Sequence, residues 1–184
     1  MYSPDLKVIL RQSKRIMKYF FSFVVILSVL LACNKDDDKF STLSIRLTDA
    51  PGPYDSVFVE ILNVEVHTDV NGWEVLATQQ GIYNLLELQN NVDTILVQSQ
   101  QIPAGKISQI RLILGTRNRV VVSGVSHPLS ISSQDETGLK LNIHHVLQPN
   151  TPYLLVMDFD AMESVHETGN NTYKLKPVVR AEFR

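Results

Sequence analysis

Val57-Phe58-Val59-Glu60-Ile61-Leu62-Asn63-Val64-Glu65-Val66, then Asp69-Val70-Asn71-Gly72, then Trp73-Glu74-Val75-Leu76, is the stretch that decides the fold. Val57, Val59 and Ile61 alternate with other residues, which marks a strand with one buried face. Leu62, Val64 and Val66 continue the alternation in the opposite phase. A phase change inside one run predicts a β-bulge near Ile61-Leu62, or a strand that crosses from one sheet to another. Asn71-Gly72 supplies the positive φ angles of a type I′ hairpin turn. Trp73 to Leu76 then returns as the partner strand.

The same period-two pattern extends outward in both directions. Leu43, Ile45 and Leu47 alternate with polar residues and form a first strand, ended by the turn chemistry of Asp49-Ala50-Pro51-Gly52-Pro53. Tyr83 to Leu88 reads as a short strand or as one helical turn. Thr94 to Gln98 is short and apolar. Ile102-Pro103-Ala104-Gly105 is a turn before a long strand from Lys106 to Leu114, with Ile110, Leu112 and Leu114 on one face. Arg119 to Ser123 is expected to pair with that strand across Gly115-Thr116-Arg117-Asn118. Leu129 to Ile131, Leu139 to Ile143 and Tyr153 to Phe159 are further strands. Tyr173 to Phe183 closes the chain, and Pro177 within it lacks a ladder donor, so it belongs at an edge or a bulge. Short strands every 8–12 residues or so predict an all-β fold, an antiparallel sandwich or barrel. After Cys33 no amphipathic helical stretch of about three turns remains.

Upstream of the strands the chain is of another kind. Lys14, Arg15 and Lys18 precede an apolar run from Phe20 to Ala32. Thirteen apolar-rich residues suit the core of a signal peptide. A spanning helix needs about 17–25, and a short transmembrane anchor is the alternative. The run ends in Cys33, the single cysteine of the chain, which leaves no intramolecular disulfide partner. Leu30-Leu31-Ala32-Cys33 resembles a bacterial lipobox. That resemblance implies cleavage before Cys33 and attachment of a diacylated lipid, with chains such as palmitate, to its thiol. Lys35, Asp36, Asp37 and Asp38 resemble the surface-export signal of Bacteroidetes-type lipoproteins. The blander reading of these residues is a solvated acidic tether. Met17 could begin a complete signal peptide by itself, which would place residues 1–16 before the true start. The expected organisation is a signal peptide over 1–32, a lipidated cysteine and tether over 33–40, and one domain over 41–184.

Five of the 17 Lys and Arg residues and one of the 19 Asp and Glu residues precede Cys33. The remaining 12 and 18 give the mature chain a net charge of −6. Nucleic acid, which needs a basic face, is not an expected partner. The membrane is expected as a partner through the lipid.

Few residues carry chemistry. No Gly-x-Ser-x-Gly elbow occurs. Ser126 and His127 are adjacent, so in a strand they point to opposite faces. The expectation is a protein that is not an enzyme and has no catalytic residues. His144 and His145 likewise diverge, giving one buried, hydrogen-bonded imidazole and one exposed one. Asp158 and Asp160 would face the same way if their strand continued. They are weak candidates for a Ca²⁺ site, against the structural role of capping backbone amides at a strand end. Asp49 and Asp55 are similar turn-forming acids. Among the aromatics, Trp73, Tyr54, Tyr83, Tyr153 and Tyr173 could supply flat faces for sugar stacking, against the commoner role of core or rim residues. Trp73, beside the Asn-Gly turn, is the best candidate for an exposed ligand-stacking ring.

Several of these segments occur together in order: Leu47-Thr48-Asp49-Ala50-Pro51, Leu85-Leu86-Glu87-Leu88, Ile102-Pro103-Ala104-Gly105 with Ile110-Arg111-Leu112, Asp158 to Val165, and Tyr173 to Val178. The set resembles the DUF4382 family of bacterial lipoprotein domains over about Ser41 to Phe183. The resemblance implies a β-sandwich of transthyretin-like or carbohydrate-binding-like type, with at most one short helix. It carries no catalytic residues with it. The expected function is a surface-anchored, non-catalytic module that binds a glycan or a protein, at the outer membrane and facing outward or toward the periplasm. The alternative is a structural or assembly subunit of an envelope or fimbria-like complex, with the closing segment Val178 to Phe183 as an edge or donor strand.

Overall fold

The computed structural model describes residues 39–90, 92–131 and 137–184. The signal peptide, Cys33 and the export signal Lys35, Asp36, Asp37 and Asp38 lie outside the described residues.

The alternation at Leu43, Ile45 and Leu47 becomes strand β1, Phe40–Asp49, with all three side chains fully buried. It is central in a four-stranded sheet with β5 (Thr94–Pro103), β10 (Pro152–Phe159) and β13 (Val179–Phe183), in the order β13-β10-β1-β5. The second sheet is organised by β2, Ser56–Thr68. It holds β3 (Gly72–Val75), β4 (Gly81–Asn84), β6 (Gly105–Leu114), β7 (Arg119–Val122), β8 (Val125–Ile131), β9 (Leu139–Leu147), β11 (Val165–Gly169) and β12 (Thr172–Leu175). The two sheets pack as a sandwich around one apolar core, in which each fully buried Leu or Ile contributes roughly 1.5–3 kcal/mol.

The phase change in β2 is a bulge. Ile61 pairs with Leu114 and Asn63 with Ile113, so Leu62 is the extra residue. Val57, Val59 and Ile61 before it, and Val64 and Val66 after it, are all fully buried. The bulge keeps one strand's apolar side on the core through the phase change.

Three expectations need correction. First, two ladders are parallel: β1 with β10 and β8 with β12. The remaining ladders are antiparallel. Second, β7 does not pair with β6. Both are antiparallel to β2 and lie on the same side of it, opposite β3 and β4. Gly115 to Asn118 is therefore an interruption between two successive ladders, and Glu60 fills it. The Glu60 carboxylate accepts from Arg117 N (2.9 Å), Nε (2.8 Å) and Nη2 (2.6 Å). Its backbone N–H donates to Asn118 Oδ1 at 2.8 Å. These bonds to Arg117 hold the Glu60 carboxyl below its ordinary range although the residue is buried.

Third, the Asn71-Gly72 connection is not a two-residue I′ turn. Thr68 pairs with Gly72 across a three-residue loop, and only Gly72 has a positive φ (72°). The Thr68 hydroxyl accepts from Asn71 N at 3.1 Å, which stabilises the longer loop. Positive φ at both central residues occurs instead at Ser123-Gly124 and at Asn170-Asn171. Of the two readings of Tyr83 to Leu88, the structure takes both in turn: β4 ends at Asn84, and Leu85–Leu88 is a single 3₁₀ turn. The one α-helix among the described residues is the short α1, Ala161–Ser164.

Pro177 lies between β12 and β13, outside both ladders. β13 is an edge strand, as its sequence suggests.

Candidate functional site

Because β2, β3, β6 and β9 lie side by side, their outward residues meet in cross-strand rows on the solvent face of the larger sheet. One row runs Trp73, His67, Gln109, Asn142. The next runs Val75, Glu65, Arg111, Lys140. The inward neighbours Val64, Val66, Ile110 and Leu112 are in the core, and this fixes which way each row points.

Side-chain bonds hold the rows flat. Arg111 Nη1 pairs with Glu65 Oε2 at 2.8 Å, and its Cζ lies 4.0 Å from the Trp73 ring centroid. Gln109 Nε2 donates to Asn142 Oδ1 at 2.8 Å. His67 meets the Trp73 ring edge-on at 5.2 Å between centroids. Its Nδ1 is 2.8 Å from Ser108 Oγ, the residue displaced by a second bulge in the ladder between β2 and β6. The Arg111 Nε–H is buried without a partner. The face therefore offers amides, a guanidinium, a carboxylate and an ammonium around one indole, on rigid strands. Planar donors and acceptors of this kind are able to pair with hydroxyls or peptide groups.

Trp73 needs a correction within this frame. It is half-buried rather than an open platform, because Arg111 covers one face of the ring and His67 meets its edge. Its neighbours Glu65, Gln109, Arg111, Lys140 and Asn142 are not distinctive in sequence. Each occupies a polar position of an alternating strand, and only the pairing brings them together.

The other candidates take structural places. β10 ends at Phe159, so Asp160 has left the strand and does not share the orientation of Asp158. Asp160 is the N-cap of α1, and its carboxylate accepts from Glu163 N at 3.0 Å. Asp158 sits opposite Arg180 in the ladder between β10 and β13. Asp49 Oδ1 accepts from Ala161 N at 2.9 Å. Burial is the main cause that pushes Asp49 up to about 6, with Asp160 and Asp158 nearby adding to it. Asp55 accepts from Gly124 N at 2.7 Å. Among the described residues no group of three or more His, Cys, Asp or Glu is placed to hold a metal ion.

His144 is exposed and His145 half-buried. They diverge as adjacent strand residues must, but His145 lies among rings, stacked on Phe183 at 4.1 Å and edge-on to Tyr153 at 5.3 Å.

Two of the ordered motif segments of the sequence fall at the turn after β1 and at the capped end of β10. A family model described as a domain of unknown function matches residues 40–177, from the start of β1 to Pro177. The chain belongs to the DUF4382 family. No curated protein and no solved structure matches it. In this DUF4382 domain, Asp49 and Asp160 of the motif segments close one end of the sandwich, while the Trp73 rows lie on a sheet face.

Proposed function

We propose that this DUF4382 protein is a lipoprotein, acylated at Cys33 and facing outward from the outer membrane, whose sandwich is a non-catalytic binding module for a glycan or a protein. The observation that carries the binding role is the pair of outward rows on β3, β2, β6 and β9. There Trp73, Gln109, Asn142 and the Glu65–Arg111 pair form a braced polar-aromatic face. The anchor rests on the signal-peptide pattern and on Leu30-Leu31-Ala32-Cys33, and the outward orientation on Lys35 to Asp38.

A binding screen against glycans and surface proteins, run with wild type and Trp73→Ala, tests the site. Truncating an aromatic anchor in a contact centre weakens binding by about 1–3 kcal/mol, roughly 5- to 150-fold. Unchanged binding by Trp73→Ala would remove this face from the reading. Protease shaving of intact cells tests the address. Cleavage of wild type but not of Cys33→Ala, nor of a variant with Lys35 to Asp38 changed to Ala, supports the surface location. Protection of wild type points to the periplasmic face.

The edge position of β13 favours one further reading, a subunit that accepts a donor strand in an assembly. Polymers or a stoichiometric partner in native extracts would support it.

A further inference from the structure

A second surface stands apart from the Trp73 rows, at the end of the sandwich where the chain enters. β1 starts there, β2 and β9 end there, and the β5–β6 corner lies beside them. An open depression of about 620 Å³ lies among Phe40, Val70, Pro103, Val146 and Pro149. Phe40 is 40% exposed, Val70 62% and Val146 56%. Three of the nine large hydrophobic residues exposed among the described ones are therefore gathered on this rim. They come from three separate parts of the chain, so local sequence does not explain the cluster.

The entering chain is fixed to the same rim. Lys39 O accepts from Ala104 N at 2.8 Å, and Phe40 O accepts from Asn150 N at 2.8 Å. The β2–β3 loop carrying Val70 is tied down as well: Asp69 N donates to Lys106 O at 3.1 Å, and Lys106 N to Asp69 Oδ1 at 3.1 Å.

We infer that this rim is a membrane-contact surface, seated on the lipid bilayer that holds the acylated Cys33. The inference rests on the proposed lipidation of Cys33. Its distinctive argument is length. Lys39 is six residues after Cys33, and six residues span roughly 20 Å even when fully extended. The rim is thus held next to the bilayer, where the high effective concentration of a short tether populates even a weak contact. Phe and Val side chains fit the boundary between headgroups and acyl chains. The charges at the rim are mixed, Lys39 and Lys106 against Asp69, so the contact is apolar and survives high salt. Seated this way, the strands stand upright, and Trp73, which begins the return from the Val70 loop, lies close above the membrane.

The test uses the lipidated protein in vesicles of phosphatidylethanolamine and phosphatidylglycerol. Acylation consumes the only native thiol, so Val70→Cys carries one fluorophore at the rim. Met162→Cys, on α1 at the opposite end and 54% exposed, carries the control. Nitroxide-bearing lipids should quench the Val70 label several-fold more than the Met162 label, and aqueous iodide should do the reverse. Adding Phe40→Ser and Val146→Ser should abolish the difference while the protein still floats with vesicles. Equal iodide quenching of both labels on protein that floats would overturn the rim contact and leave the anchor standing. Protein that carries no acyl group and fails to float would overturn the anchor and the contact together. A Val70 label shielded from iodide without nitroxide quenching, increasingly so at higher protein density, would assign the rim to a second copy of the chain and overturn the membrane contact.

Discussion

The two ends of the sandwich are finished in different ways. At the end away from the tether, acidic side chains close the connections. Asp49 accepts from Ala161 N, Asp55 from Gly124 N, and Asp160 from Glu163 N. Glu60 fills the interruption between β6 and β7. At the tether end, backbone bonds do most of the tying, and Phe40, Val70 and Val146 are left at the surface. The contrast separates residues that hold the fold from residues free to meet something else. A carboxylate that satisfies a backbone amide is already committed, and removing it leaves a donor unpaired. An exposed valine satisfies nothing within the domain.

The sharpest break in that contrast is Gly115→Ala. A Cβ at position 115 would overlap the Glu60 carboxylate, which cannot swing aside while Arg117 grips both of its oxygens. Overpacking of this kind costs typically about 1–3 kcal/mol. Loss of the Glu60–Arg117 geometry adds to it, so thermal unfolding should show a Tm lower by about 10 °C. A Tm within a degree or two of wild type would mean that the interruption is pliable, and that the closed end is less rigid than its hydrogen bonds imply.

Asp49 gives the next largest effect, and its sign can be worked out. Its folded-state pKa of about 6 lies above the ordinary 3.8, with burial as the main cause. Between those values the folded chain keeps a proton that the unfolded chain releases. Stability from this group is therefore greatest below about pH 4 and declines as pH rises through 6. The decline approaches 2–3 kcal/mol, as an order of magnitude. Asp49→Asn keeps an acceptor for Ala161 N and does not titrate. Chemical denaturation at several pH values should show the variant gaining on wild type from pH 4 to pH 6 and remaining ahead above it. Parallel pH curves for the two would show that Asp49 is not held in an environment that disfavours its charge.

Residues differ in how openly the sequence declares these roles. The strands of the core were legible wherever one face is buried, because burial of one face forces period-two alternation. Leu43-Ile45-Leu47 and the two phases of β2 show this, and the bulge at Leu62 follows from them. Partnership was less legible. The β-branched run Val120 to Val122 says strand, but it does not say that β2 rather than β6 lies beside it. Nor does alternation reveal that β10 runs parallel to β1. The Asn-Gly signal at 71–72 identified a hairpin but missed its length, which a Thr68 side-chain bond decides. The candidate site was the least legible part. Trp73 stood out by residue type, whereas Gln109, Arg111, Lys140 and Asn142 become a surface only through two ladders between distant segments. The position of Asp160 at a strand end suggests a cap, whereas the helix it caps, four residues long, is too short to leave a periodic signal.

The smallest expected effect tests the open end. Val70→Ser removes apolar surface that is 62% exposed, in a loop whose fold depends on Thr68, Asp69 and Gly72 rather than on residue 70. Its stability in solution should stay within about 0.5 kcal/mol of wild type, as for most surface changes. Measured by denaturation in lipid-free buffer, that near-silence is informative. If the rim valine served the core, its loss would register there, and the distinction between the two ends would fail. If it serves an external contact, the domain alone carries no record of it, and Gly115→Ala and Val70→Ser should differ several-fold in stability although each changes a single small side chain.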